Sequence, residues 1–200
     1  MSDLTPGSDR PPQPTPPRST PLQPTPPDRT APDTKDWTWI RSRRCDECGF
    51  DPGEITRGAL PELMRSTGER FAAVLLQPGS ADRPEPSVWS PIEYGRHTAD
   101  VCHVMTGRLR LILESGGEAT FENWDGEAAA VTNEYWRAGA EDAANLVRQR
   151  SSSAAQAWSR VDSGQWDLVG VRGDGVRFTV WGLGLYLAHE LVHHLYDVER

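Results

Sequence analysis

Apolar residues recur at helical spacing in four stretches of the chain, each followed by a segment rich in Gly, Pro, Asp or Trp. Steps of three and four residues place these side chains on one face of a helix. The pattern predicts helices over about 54–77, 91–115, 140–161 and 179–199. No stretch alternates like a strand, although the turn-rich segment 170–179 could hold a short hairpin. Four helices joined by loops predict an all-α four-helix bundle.

The second predicted helix places two polar residues on its apolar face. Ser90 can cap its N-terminus, and Pro91 suits the first helical position. Steps of three and four from Tyr94 give a stripe that is mostly apolar. His97 and Arg108 lie within this stripe, so both side chains are expected to point into the bundle.

The last predicted helix contains "LAHELVHHLYDV", with three of the five histidines of the chain. Its apolar residues fall within an arc of roughly 80°, which predicts the buried face; they are Val180, Leu187, Leu191, Leu195 and Val198. Glu190, His194 and Asp197 lie along one edge of this arc. His189 and His193 are expected to point away from it.

Histidine and carboxylate at this spacing predict a metal site. The pairs Glu190/His194 and His189/His193 both have the i, i+4 spacing that places two ligands on one helix face. The inward edge favours Glu190 and His194, with His97 as the third ligand, while the other pair remains an alternative. Asp100 is expected to orient the ring of His97, and His103 to lie on the surface.

Composition divides the chain near Asp36. Eleven of the seventeen prolines precede residue 35, so residues 1–35 are expected to be a disordered tail or, alternatively, a ligand for a proline-binding groove. Residues 36–200 are expected to form the bundle domain. The net charge of −8 makes nucleic acid an unfavourable partner. The sequence has neither a long apolar run nor a secretion signal, which predicts a cytoplasmic protein without a membrane span.

The segment "CDECGFD", from Cys45 to Asp51, contains a Cys-x-x-Cys-Gly motif. This motif is half of a zinc knuckle, because four-coordinate structural zinc needs two further thiolates or imidazoles. The chain has no second Cys-x-x-Cys, and its third cysteine is Cys102. A structural metal site, a redox dithiol and an inert or partner-dependent segment all remain open.

Several stretches together resemble the DinB-like superfamily, in the branch that includes mycothiol-dependent maleylpyruvate isomerase-like proteins. They are "WSPIEYGRHTADV", the Trp124–Asp125 pair, "RGDGVRFTV" and "HELVHHLYDV", and the resemblance covers residues 37–200. It implies a four-helix bundle that binds a divalent metal, commonly zinc or nickel. By position, the implied ligands are His97 and the pair Glu190/His194.

The resemblance also implies a reaction class. Characterised relatives use low-molecular-weight thiols such as mycothiol or bacillithiol, so the expected function is a thiol S-transferase or isomerase acting on a small electrophile. Arg108 or Arg172 could hold a carboxylate of the thiol or substrate; Arg172 could instead pair with Asp174 at the surface. A metal-dependent hydrolase and a non-catalytic metal-binding protein are the alternatives. The sequence leaves the choice between monomer and homodimer open.

Overall fold

The computed structural model describes residues 35–200 together with Pro27 and Thr30, so the predicted disorder of the tail lies mostly outside the described residues. Within them the chain forms α1 (Leu60–Leu75), α2 (Pro91–Glu114), α3 (Gly126–Thr132), α4 (Ala140–Ser159) and α5 (Val180–Glu199). The four long helices confirm the predicted bundle. Short 3-10 helices cover Trp37–Arg41, Pro52–Glu54 and Tyr135–Arg137.

The bundle is not assembled from sequence neighbours. α1 and α2 each pack mainly against α4 and α5, so they lie on opposite sides of the bundle although they follow one another along the chain. α1 and α4 approach very closely at Gly68, where an added Cβ would stand 1.9 Å from Ser151 Oγ. Ser151, in the middle of α4, therefore packs directly against Gly68 of α1.

A three-stranded sheet closes one end of the bundle. Its order is β1 (Ala119–Phe121), β2 (Val169–Arg172) and β3 (Arg177–Thr179). β2 and β3 form the predicted hairpin, with Gly170 opposite Phe178. β1 was not predicted; it pairs in parallel with β2 and places Ala119 opposite Gly170. This pairing fastens the chain that follows α2 to the chain that precedes α5.

Capping fixes where the two site-bearing helices begin. Ser90 accepts a hydrogen bond from the Glu93 amide, and Glu93 accepts one from the Ser90 amide, which is a capping box. Thr179 Oγ1 accepts a hydrogen bond from the Gly182 amide at the start of α5. α1 starts at Leu60, later than predicted, because Thr56 forms a turn in which its hydroxyl accepts from the Ala59 amide. Within the described part of the chain, no helix is long and apolar enough to cross a membrane.

Candidate metal centre and substrate cavity

His97 from α2 meets Glu190 and His194 from α5 in the middle of the molecule. One potential ligand atom from each of these side chains lies within 4.8 Å of the others. The His97 and His194 rings meet edge to face, with centroids 5.0 Å apart. The structure therefore brings together the three residues that the sequence selected as ligands.

His194 lies between two carboxylates. Its Nε2 is 3.3 Å from Glu190 Oε2, and its Nδ1 donates to Asp197 Oδ2 at 3.3 Å. A carboxylate on one ring nitrogen orients a metal-binding histidine and leaves the other nitrogen for the ion. Asp197 suits this orienting role, so Nε2 of His194 and the carboxylate of Glu190 are the atoms available to a metal.

Aromatic side chains hold the ring of His97. Trp124 stacks on it at 5.4 Å between centroids, and Trp89 lies 5.0 Å away on another side. The residue is only 9% exposed, and its Nδ1 has no hydrogen-bond partner among the described residues. A buried nitrogen without a partner is costly, and the ring is held in place by its aromatic neighbours and not by a hydrogen bond at Nδ1.

Burial and neighbouring charges set the protonation states of the three side chains. Burial, followed by the charge of His194, lowers the pKa of His97 to about 3, so its imidazole is neutral. Burial raises the pKa of Glu190, but the hydrogen bond and charge of His194 outweigh it and lower the pKa to about 2. Burial lowers the pKa of His194, but its hydrogen bonds with Asp197 and Glu190 outweigh burial and raise the pKa to about 9, so this imidazole carries a proton when no ion is bound. Neutral imidazole and ionised carboxylate are the forms that bind metal ions, so a metal at His194 would displace one proton, whereas His97 and Glu190 are already in the binding form. With that one proton released, the cluster fits a divalent metal.

The prediction that Asp100 orients the ring of His97 is wrong. Asp100 accepts hydrogen bonds from Tyr135 Oη at 2.5 Å and from Asn133 Nδ2 at 3.2 Å, so its carboxylate serves the segment after α3 instead of His97. His103 is exposed and interacts with Arg150, which confirms the prediction of a surface residue.

A cavity of about 870 Å³ opens above the cluster. Both predicted arginines line it. Arg108 donates to the Glu122 carbonyl at 2.8 Å and lies over the Phe121 ring, while Arg172 forms a two-nitrogen salt bridge with Asp174. Burial lowers the pKa of Arg108, and the Asp174 carboxylate raises the pKa of Arg172. Arg108 therefore supplies positive charge to the cavity wall, whereas the Asp174 carboxylate balances the charge of Arg172.

Sequence reasoning missed Tyr186. Its side chain lines the same cavity, and it lies one turn before Glu190 on α5. Burial, followed by the negative charge of Glu190, raises the pKa of its phenol, so the hydroxyl stays protonated and can donate a hydrogen bond. Its position four residues before Glu190 and eight before His194 was a readable signal, because these residues share one helix face.

The predicted orientation of His189 and His193 is wrong. Their side chains are buried, 1% and 7% exposed, because the segment from Trp37 to Phe50, here called the N-terminal segment, covers this face of α5. The prediction failed because the helical periodicity was taken to define one buried face of α5, whereas α5 has two. The structure groups these two histidines with Cys45 and Cys48, and each of the four offers a ligand atom within 4.8 Å of the others.

The fold and site define a class of protein: a four-helix bundle with a buried histidine and carboxylate centre, suited to a divalent metal, beneath a cavity. The chain belongs to the DinB superfamily, whose family model matches residues 31–198. This membership confirms the resemblance to the DinB-like superfamily read from the sequence.

A solved structure shares the fold. The chain is similar to YfiT from Bacillus subtilis, which is described as a probable metal-dependent hydrolase with an unusual four-helix bundle topology. The sequences are 16% identical, and the match covers 76% of this chain and 92% of that chain with a TM-score of 0.63. No curated protein sequence matches the chain.

Proposed function

We propose that this protein is a divalent-metal-dependent enzyme, with His97, Glu190 and His194 as the metal ligands. The observation that carries the proposal is the convergence of three suitable donors beneath a large cavity. Three protein ligands leave a position free in a four-coordinate site, which is the arrangement of catalytic zinc centres. Zinc or nickel bound there would lower the pKa of a coordinated thiol or water and so provide a nucleophile near neutral pH.

The surrounding residues support this chemistry in distinct ways. Asp197 orients His194, and the indole rings of Trp89 and Trp124 hold His97 in place. Arg108 and Arg172 lie on the cavity wall, where either guanidinium can hold a substrate carboxylate. None of these roles requires a protein side chain as the nucleophile.

The reaction we favour is S-transfer or isomerisation with a low-molecular-weight thiol of the mycothiol type acting on a small electrophile. A cavity of about 870 Å³ is near the upper end of the usual range for small-molecule sites, so it has room for a thiol and a second substrate together. The family resemblance supports the same choice. The thiol would act at the metal, while the arginines orient a carboxylate of either molecule.

A metal-dependent hydrolase is the second candidate. The observation that favours it is the shared fold with YfiT, which is described as a probable metal-dependent hydrolase. The same three ligands would then activate water instead of a thiol.

Metal content tests the ligand assignment. We expect His97→Ala and His194→Ala each to lower the bound metal by about one ion per chain, because two ligands hold a divalent ion far less well than three. His103→Ala is the matched control, since this histidine is exposed on the same helix. Equal metal in all four proteins, measured by inductively coupled plasma mass spectrometry, would refute the site.

Turnover distinguishes the candidate reactions. The metal-loaded protein is incubated with mycothiol and a panel of small electrophiles, and separately with carboxylic esters and amides. Thiol consumption that His97→Ala abolishes supports S-transfer or isomerisation, and hydrolysis without thiol supports the second candidate. Binding of metal and thiol without any turnover would contradict both and indicate a non-catalytic binding protein.

Arg172→Lys tests the carboxylate contact. Lysine keeps the positive charge but lacks the planar pair of donors, so we expect KM for a carboxylate substrate to rise about tenfold with a smaller change in kcat. Arg177→Lys, an exposed change in the neighbouring strand, should leave KM unchanged. An Arg172→Lys enzyme with wild-type KM would show that this arginine serves only its salt bridge with Asp174.

A further inference from the structure

The Cys-x-x-Cys motif provides two of the four ligands that a structural zinc ion needs, and the fold brings two histidines of α5 next to it. Cys45 and Cys48 meet His189 and His193 of α5, with one ligand atom from each residue within 4.8 Å of the others. The spacings Cys-x2-Cys and His-x3-His are those of a Cys2His2 structural zinc site.

The described distances fit tetrahedral coordination. Cys45 Sγ lies 3.8 Å from His193 Nδ1. In a zinc tetrahedron with ordinary bond lengths, a sulfur and a nitrogen ligand are about 3.6 Å apart. A tight turn holds the two cysteines on the same side of the chain. In this turn the Gly49 amide donates to the Cys45 carbonyl at 3.0 Å, and Gly49 has a φ of 78°.

His189 is the second, independent sign of a missing ligand. Its side chain is 1% exposed, and neither ring nitrogen has a hydrogen-bond partner among the described residues. Histidine buried in this state loses its hydration without compensation. One bond to an ion would satisfy a ring nitrogen directly.

The neighbours of the cluster indicate a structural site. Trp37 covers both histidine rings, at 5.1 and 4.8 Å between centroids, and Phe50 meets His189 edge on. His193 Nε2 faces the Glu47 and Asp197 carboxylates at 3.7 and 3.9 Å, which places acidic groups behind a metal-binding imidazole. His189 and His193 line the cavity, but four protein donors would fill a tetrahedral shell and leave no position on the ion for substrate, unlike the three donors at His97.

We propose that Cys45, Cys48, His189 and His193 form a structural zinc site that fastens the N-terminal segment to α5. The site joins residues 148 positions apart along the chain. Trp37 and Glu47 of the fastened segment also line the cavity, so the ion would hold one wall of the substrate site in place. This proposal does not depend on the proposed function.

Cobalt substitution tests the site through its thiolates. Protein stripped of metal under reducing conditions and titrated with Co²⁺ should develop a thiolate-to-cobalt charge-transfer band; in His97→Ala protein, where the other centre is removed, the band should saturate at about one ion per chain. Cys45→Ala/Cys48→Ala and His189→Ala should lose or weaken the band. Cys102→Ala, which alters the remaining cysteine, and His97→Ala should both keep it, so failure of the His97 centre is distinguishable from failure of this site.

Wild-type protein provides a test that needs no variant. Removal of zinc should lower Tm by about 10 °C, since loss of a tightly bound ion removes its linkage stabilisation. It should also expose two thiols to an aromatic disulfide reagent, while Cys102 remains fully buried. The proposal is overturned if the wild type gives no thiolate band, if its thiols react equally with and without zinc, or if Cys45 and Cys48 form a disulfide in place of binding metal.

Discussion

At the scale of single residues, the position of His97 depends on a glycine. α3 begins at Gly126, directly beside the imidazole, and an added Cβ there would stand 2.7 Å from His97 Cε1 and 3.1 Å from Nδ1. Carbon atoms in contact prefer separations of about 3.5–4.0 Å. The absent side chain therefore lets the loop with Trp124 close over the histidine.

We expect Gly126→Ala to weaken metal binding at the His97 centre about tenfold, because the imidazole must move away from the methyl group. The fold should persist, since alanine suits a helix better than glycine does. Zinc affinity measured by competition with a chromophoric chelator checks the effect. Gly107→Ala in α2 is the control, because nothing lies within 4 Å of an added Cβ there; an equal loss of affinity in both variants would contradict the steric explanation.

At the scale of elements, the start of α2 is stabilised by a buried ion pair as well as by its cap. Glu93 is 2% exposed; one of its oxygens accepts from Arg83 Nε at 2.7 Å and from the Ser90 amide at 2.8 Å, and the other is bound by Arg83 Nη2. The carboxylate thus joins the helix terminus to the preceding loop. Trp89, which contacts His97, lies within the segment so held.

We expect Glu93→Gln to lower the free energy of unfolding by about 3 kcal/mol, because it leaves a mostly buried guanidinium without its counter-charge. Glu62→Gln is a matched control: its pair with Arg65 is exposed, and the same change there should leave the free energy of unfolding almost unchanged. Urea denaturation measures both values. Similar losses in the two variants would mean that the Glu93 pair acts as an ordinary surface contact.

Element patterns in the sequence predicted α2 and α5 well, including the convergence of His97, Glu190 and His194. The Ser90 cap and the stripe through His97 and Arg108 were readable because a helix repeats its faces every three to four residues. β1 was not readable, since it is three residues long and its partner β2 lies about fifty residues further along the chain. Short strands of this kind depend on tertiary contacts more than on local pattern.

The two errors at the site have the same physical origin. Periodicity ranks the faces of one helix but does not say which other segments cover them. The face of His189 and His193 is buried because the segment from Trp37 to Phe50 packs there, and Asp100 is drawn to Tyr135 after α3. In both cases the partner of the side chain lies outside the long helices. Such segments have no regular spacing of apolar residues, so their position cannot be predicted from one sequence.

At the scale of the whole molecule, the two clusters differ in how open they are. The His97, Glu190 and His194 side chains all line the cavity; of the second cluster, His189 and His193 also line it, but Cys45 and Cys48 do not. We therefore expect a chelator to remove zinc in two phases, first from the open centre together with activity, then from the thiolate site together with thermal stability. Stopped-flow absorbance with a chromophoric chelator checks this; one phase, or stability lost before activity, would contradict the assignment.

The cysteines and histidines of the second cluster are separated by most of the chain. During synthesis Cys45 and Cys48 leave the ribosome well before the histidines of α5. Until then the two thiols lack their proposed imidazole partners. In the proposed site, zinc can be held by all four groups only after α5 has emerged and packed. α5 thus completes both clusters, and we expect the thiols of Cys45 and Cys48 to be open to oxidation until it does.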